Sequence, residues 1–96
     1  MSNDPSVAGA NNLKLYPNPG NGLFLIELDL GEAETNDASV QVLDLLGKIV
    51  YANQTDIVDG MLREEVKLDD NLPGGNYLIR VSSGERVFSR PIIYQK

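Results

Sequence analysis

Apolar and polar residues alternate with period two along much of the chain. In Leu23–Leu30, Phe24, Ile26, Leu28 and Leu30 fall on one face and Glu27 and Asp29 on the other, the pattern of a half-buried strand. Leu23 and Leu25 share the second face, which is therefore only partly polar. Ser39–Leu46 sets Val40 and Val42 against Gln41, and Arg63–Leu68 turns Val66 and Leu68 inward. Tyr77, Ile79 and Val81 alternate with Leu78, Arg80 and Ser82, and Glu85–Tyr94 supplies a returning strand. That strand carries the apolar run Pro91-Ile92-Ile93-Tyr94 almost to Lys96, so the end of the chain is expected to be built into a sheet. Leu13–Tyr16 and Ile49-Val50-Tyr51 add two short strands.

The breaks between these runs are turn chemistry. Pro17-Asn18-Pro19-Gly20-Asn21-Gly22 stops the first strand, because proline cannot donate to a ladder and Asn-Gly favours a tight turn. Asp44-Leu45-Leu46-Gly47-Lys48 predicts a hairpin with Gly47 at positive φ. Leu72-Pro73-Gly74-Gly75-Asn76 and Ser83-Gly84 mark two more reversals. Residues 31–37 read as a polar loop, and Ala52–Leu62 as a polar loop with at most a short edge strand. No window of eleven or more residues has helical periodicity. About seven short strands joined by hairpins predict an all-β, Ig-like antiparallel β-sandwich, with a small barrel as the alternative that spacing alone leaves open. The expected core is Leu15, Phe24, Ile26, Leu28, Val40, Val42, Val50, Val66, Leu68, Tyr77, Ile79 and Val81.

The 96 residues fit one domain spanning 13–96, preceded by a lead-in over 1–12 rich in Asn, Ser, Ala and Gly that reads as a linker. No apolar run is long enough for a transmembrane helix, and Met1–Asn12 has neither the basic nor the apolar region of a signal peptide. Without Cys there are no disulfides or thiolate metal sites; without His the commonest general base and zinc ligand are missing. The net charge of -6 argues against binding nucleic acid by phosphate neutralisation. Charge is uneven: residues 1–71 hold thirteen acids against four bases, whereas 72–96 hold Arg80, Arg86, Arg90 and Lys96 against Glu85 alone. Basic residues there protect an edge strand or form a docking surface, and the two roles are compatible.

No catalytic constellation emerges. The usual triads need His or Cys. Glu64-Glu65 and Asp69-Asp70 are neighbours that point to opposite faces of a strand, so they read as solvated surface and not as a glycosidase pair. Asp56, Asp59, Asp69 and Asp70 lack the spacing of a calcium loop. Asn53-Gln54-Thr55 is a formal glycosylation triplet of chance type. The glycines at 20, 22, 74 and 75 precede strands, so they do not form a phosphate cradle. No cofactor or metal is expected.

Three stretches together resemble the C-terminal sorting domain of the type IX secretion system of Bacteroidetes. Leu15-Tyr16-Pro17-Asn18-Pro19 with Gly22 looks like its opening box; Val40-x-Val42-x-Asp44-Leu45-Leu46-Gly47-Lys48-x-Val50 looks like its middle hairpin; Leu72-x-x-Gly75-x-Tyr77-x-Ile79-x-Val81, followed by the last strand, looks like its closing motif. The final strand departs from the pattern in having Arg90 before Pro91. The resemblance implies a sorting signal and not an enzyme. Its partners would be an N-terminal cargo domain, the outer-membrane translocon and a sortase-like surface peptidase that removes the domain near its linker. The cargo would pass through the periplasm to the cell surface or the medium. Tyr16, Pro17, Asn18, Pro19, Gly22, Asp44, Gly47 and Lys48 would be its structural motif residues.

The mechanism expected is edge recognition: the closing strand pairs with a receptor strand, and Arg86, Arg90 and Lys96 select the partner by charge. Gly75, Tyr77, Ile92 and Ile93 complete the recognition candidates. An open edge would also allow a dimer. The competing readings are a carbohydrate-binding module, which needs exposed aromatics among Tyr16, Tyr51 and Tyr94, and a purely structural Ig-like accessory module.

Overall fold

The computed structural model describes residues 13–31 and 37–96; the expected lead-in over 1–12 lies outside them. Seven strands follow in order: β1 (Leu13–Tyr16), β2 (Leu23–Asp29), β3 (Ala38–Leu43), β4 (Ile49–Thr55), β5 (Met61–Lys67), β6 (Gly75–Ser83) and β7 (Arg86–Tyr94). They form two antiparallel sheets, β1-β2-β5 and β4-β3-β6-β7, packed as a β-sandwich. The arrangement is Ig-like, with the fourth strand in the larger sheet. The barrel alternative is excluded because each sheet has two edges.

The core lies between the sheets. Phe24, Ile26 and Leu28 of β2, Val40 and Val42 of β3, Ile79 and Val81 of β6 and Ile92 of β7 are almost fully buried, each on the inward parity of its strand. Burying one such side chain contributes about 1.5–3 kcal/mol, and this apolar surplus holds the layers together. Leu15 and Val50, expected as core, are only partly buried against it. β1 is short, and Val50 sits next to a register shift at Val42/Leu43. Leu13, Leu30, Ala38, Leu43, Leu62, Phe88, Ile92 and Tyr94 are buried in addition.

Element bounds also correct the reading of the middle of the chain. β3 ends at Leu43, and β4 runs to Thr55 into the expected loop. β5 begins at Met61, after a two-residue turn in which Asp59 and Gly60 both take positive φ (53° and 77°) and Val58 and Met61 exchange backbone hydrogen bonds. Gly47 has φ 86°, as expected for the hairpin. Tyr77, near the start of β6, is buried and donates its hydroxyl hydrogen to the Pro73 carbonyl, the tyrosine corner of Ig-like sandwiches.

Side-chain bonds close both seams between the sheets. On one side Glu64 of β5 accepts from Tyr51 Oη at 2.6 Å and from Asn53 Nδ2 at 2.8 Å, both on β4. On the other, Arg90 Nη1 donates to the Leu13 carbonyl at 2.7 Å and Arg86 Nη1 to the Leu30 carbonyl at 3.1 Å. Loss of solvent around the Tyr51 phenol, then the Glu64 hydrogen bond and charge, push its pKa from 10.0 up to about 12. A raised folded-state pKa makes the Tyr51 contribution to stability complete below pH 10 and lost as pH rises toward 12. Spectrophotometric titration of tyrosine ionisation is expected to show this late step, and Glu64→Gln to move it back toward 10.0. An unchanged titration in the variant would contradict the seam.

Candidate functional site

The loops at 17–22, 44–48 and 68–74 all lie at the same end of the sandwich, where β7 finishes. The three sequence boxes, separated along the chain, therefore meet in space. Gly20 forms a parallel bridge with Tyr94, and the Leu68 N–H donates to the Gly22 carbonyl at 2.7 Å. The Tyr94 ring lies 6.3 Å from the Tyr77 ring, and Lys96 Nζ donates to the Asp70 carbonyl. A Cβ on Gly22 would meet the Tyr94 ring at 3.2 Å, and one on Gly74 the Tyr94 carbonyl at 3.1 Å, so both glycines permit close approach to the last strand.

β7 is the outer strand of the larger sheet, so its backbone has an outward margin. Alternation sends the groups of Phe88, Arg90 and Ile92 toward β6 and those of Val87, Ser89, Pro91 and Ile93 outward. Proline at 91 therefore removes no bond from the β6 ladder, and its missing donor is an outward one. The margin divides in two. Over 91–95 the opening box covers it: Asn18 Nδ2 donates to the Pro91 carbonyl at 3.2 Å, Asn18 Oδ1 accepts from the Ile93 N–H at 3.0 Å, Gly20 N–H donates to the Ile93 carbonyl at 3.0 Å, and Gln95 N–H donates to the Gly20 carbonyl at 2.7 Å. The Asn18 carboxamide thus imitates a neighbouring strand. Over 87–89 the outward N–H and C=O groups of Val87 and Ser89 have no partner among the described residues.

The latch has a measurable consequence. Asn18→Ala removes the donor to the Pro91 carbonyl and the acceptor of the Ile93 N–H; loss of the latter alone costs about 0.5–1.5 kcal/mol locally, so exchange of the Ile93 amide is expected to speed up by at least about 2- to 10-fold. The Ile92 amide, which faces β6, is expected to keep its protection. Equal exchange at Ile93 in both proteins would contradict the latch.

The recognition candidates separate by position. Tyr77 and Ile92 face the core, and Tyr77 carries the tyrosine corner, so neither offers side-chain surface to a partner. Arg86 and Arg90 lie on the inward parity of β7 and bind carbonyls of the other sheet; Arg86 also stacks over Phe88 at 5.3 Å. Inward-pointing charge of this kind blunts an edge against non-specific pairing. Ile93, 42% exposed, and Lys96 are at the surface, and Gly75 opens β6 with φ 145°. Of the motif residues, Asn18 makes the latch, Tyr16 is exposed and pairs with Leu25, and Pro17 and Pro19 follow cis peptide bonds. Asp44 Oδ1 accepts from the Leu46 and Lys48 N–H groups, both at 2.9 Å, and fixes the hairpin tip that Gly47 closes. The aromatic platform needed for a glycan is reduced to Tyr16, because Tyr94 is buried and Tyr51 is tied to Glu64.

Leu45 and Leu46, which sequence reasoning passed over as part of a turn, are 79% and 94% exposed. Two leucines at turn positions that ordinarily take Asn, Asp or Gly were the available signal. Among the described residues no group of three or more His, Cys, Asp or Glu could hold a metal ion, and no helix is long and apolar enough to cross a membrane.

The family model described as the secretion system C-terminal sorting domain matches residues 14–95. No curated protein matches the chain.

Proposed function

We propose, for a chain that belongs to the family of secretion system C-terminal sorting domains, that the type IX machinery reads it chiefly through the margin of β7. Family membership makes the domain a sorting signal acting with an N-terminal cargo and implies export to the cell surface or the medium. The finer mechanism is our reading. The open stretch at Val87 and Ser89 accepts a receptor strand by β-augmentation, where backbone bonds supply affinity and the flanking side chains supply choice. The outward, unpartnered groups of these two residues are the observation that carries this reading. Ile93 and Lys96 mark the far end of the same surface, and Arg86 and Arg90 hold the strand in position from beneath. The domain performs no chemistry itself.

In the same reading the cargo crosses the periplasm with the domain attached. After translocation a sortase-like peptidase cuts within residues 1–12, and the cargo is attached to the surface or released. A polar linker of this composition suits an extended protease groove. The test is a reporter carrying a secretory leader, with and without this chain at its C-terminus, in a Bacteroidetes host with an active type IX system. The fused reporter is expected at the surface or in the medium, the unfused one in the periplasm. N-terminal sequencing of the released tail is expected to place the cut between Met1 and Asn12. Equal distribution of the two reporters, or a cut inside the sandwich, would overturn the reading.

A further inference from the structure

β1 is only four residues long and lies at the edge of the smaller sheet, a combination that favours fraying. Its first residue is nevertheless fixed from three directions. The Leu13 side chain is almost fully buried, the residue pairs with Leu28 of β2, and its carbonyl accepts from Arg90 Nη1 at 2.7 Å. The third contact crosses from β7 in the other sheet, so a half-buried guanidinium stands in for a neighbouring strand. The adjacent residue, Ser89, belongs to the open stretch of the β7 margin. The point where residues 1–12 join the sandwich is thus tied, through neighbouring residues of one strand, to the stretch offered to a receptor. Residues 1–12 themselves are mostly Asn, Ser, Ala and Gly, side chains that give a protease pocket little to choose between.

We propose that Arg90 is a positioning residue for removal of the domain: it pins Leu13, and the peptidase cuts at a set distance from that pin instead of at a marked sequence. The inference rests on the reading that the domain is cut within residues 1–12. A protease needs an extended, accessible stretch of backbone, and folded residues supply one only when they open locally. With Leu13 pinned, the protected chain begins at one fixed place. A partner seated on Val87 and Ser89 holds Arg90 and, through it, Leu13, so the cut is placed relative to that grip. Without the guanidinium the Leu13 carbonyl loses its partner across the seam, and Leu13–Tyr16 opens more often on its own. A hydrogen bond from a charged group is strong enough to change that opening by about tenfold or more.

Two measurements test this. In the first, the purified full chain is digested briefly with proteinase K and the products are weighed by mass spectrometry. The wild-type chain is expected to be trimmed only upstream of Leu13, and Arg90→Ala, folded by circular dichroism, to lose Leu13–Tyr16 at least about tenfold faster. Glu64→Gln, which loosens the opposite seam, is expected to keep the wild-type boundary. In the second, the tail released from an exported cargo fusion in a Bacteroidetes host is sequenced, with and without Gly-Ser-Gly-Ser inserted between Asn12 and Leu13. A cut placed from the pin gives tails of equal length. A cut placed by sequence gives a tail longer by the whole insert. An unchanged boundary and rate in Arg90→Ala, an equal loss of the boundary in Glu64→Gln, or the longer tail would overturn the positioning role while leaving the sorting role intact. If Arg90→Ala does not melt cooperatively, Arg90→Gln, which keeps the aliphatic stem and removes the charge, takes its place. A wild-type fusion that is exported and never cut would overturn both the removal of the domain and the positioning role.

Discussion

A chain cut before Val87 is expected to lose its cooperative fold and its export together. The cut removes Phe88, Ile92 and Tyr94 from the core, uncovers nearly the whole margin of β6, and takes away the Arg90 link to the smaller sheet. Large-to-small changes at buried apolar positions cost about 2–5 kcal/mol each. Losing three such side chains along with their strand thus exceeds the 5–15 kcal/mol of a typical small domain, or comes close to it. Thermal melting followed by circular dichroism should show no cooperative transition. A sharp melt from the shortened chain would contradict the assignment of β7 to the core. Failed export of this truncation would therefore not locate the recognition signal, because an unfolded tail fails for any reason.

Ile92→Ala is expected to cost about 2–5 kcal/mol, and Ile93→Ala under about 1 kcal/mol. The two residues are adjacent and chemically identical, but Ile92 is fully buried between the sheets whereas Ile93 is 42% exposed on the outer face. Strand parity alone separates them. Denaturant unfolding of both variants measures the difference. Equal losses would mean that the register of β7 against β6, with Tyr77 opposite Ile92, is wrong.

Much of this architecture was legible because period-two alternation is strongest where one face is buried. Phe24, Ile26 and Leu28, or Tyr77, Ile79 and Val81, announce both the strand and its inward face. Positive φ at Gly47 was legible for a similar reason, since only glycine takes that conformation without cost between two apolar runs. The reading weakened on edges. β4 is an edge strand with a largely exposed sequence, so Ala52–Thr55 carries no apolar pattern and looks like loop. Asp59-Gly60 was a readable tight-turn pair, but it sits at the crossing from one sheet to the other and was obscured by the polar residues around it.

The surface was legible in part. The boxes pointed to the right segments, and the basic bias of the last 25 residues pointed to β7. Three-dimensional pairing was needed for the rest. Nothing in the local sequence says that Asn18 will bind the backbone of Pro91 and Ile93, some 75 residues away, and so cover half of the margin that a partner could use. Nor does the spacing of Arg86 and Arg90 say that they reach carbonyls of the opposite sheet instead of solvent. Leu45 and Leu46, at the tip of the Asp44 turn, stand exposed and line an open hollow with Pro73, Gly74, Gly75 and Tyr77, residues distant in sequence.

The most direct measurement is export of a cargo fused to the Ser89→Pro variant. The Ser89 N–H points away from β6, as the nitrogen of Pro91 does, so proline there breaks no ladder bond but removes the central outward donor and adds bulk at the open margin. The variant is expected to unfold within about 1 kcal/mol of wild type and to leave its cargo in the periplasm, while Ser89→Ala is exported normally. A folded Ser89→Pro domain that carries its cargo to the surface as efficiently as wild type would contradict recognition through the β7 margin.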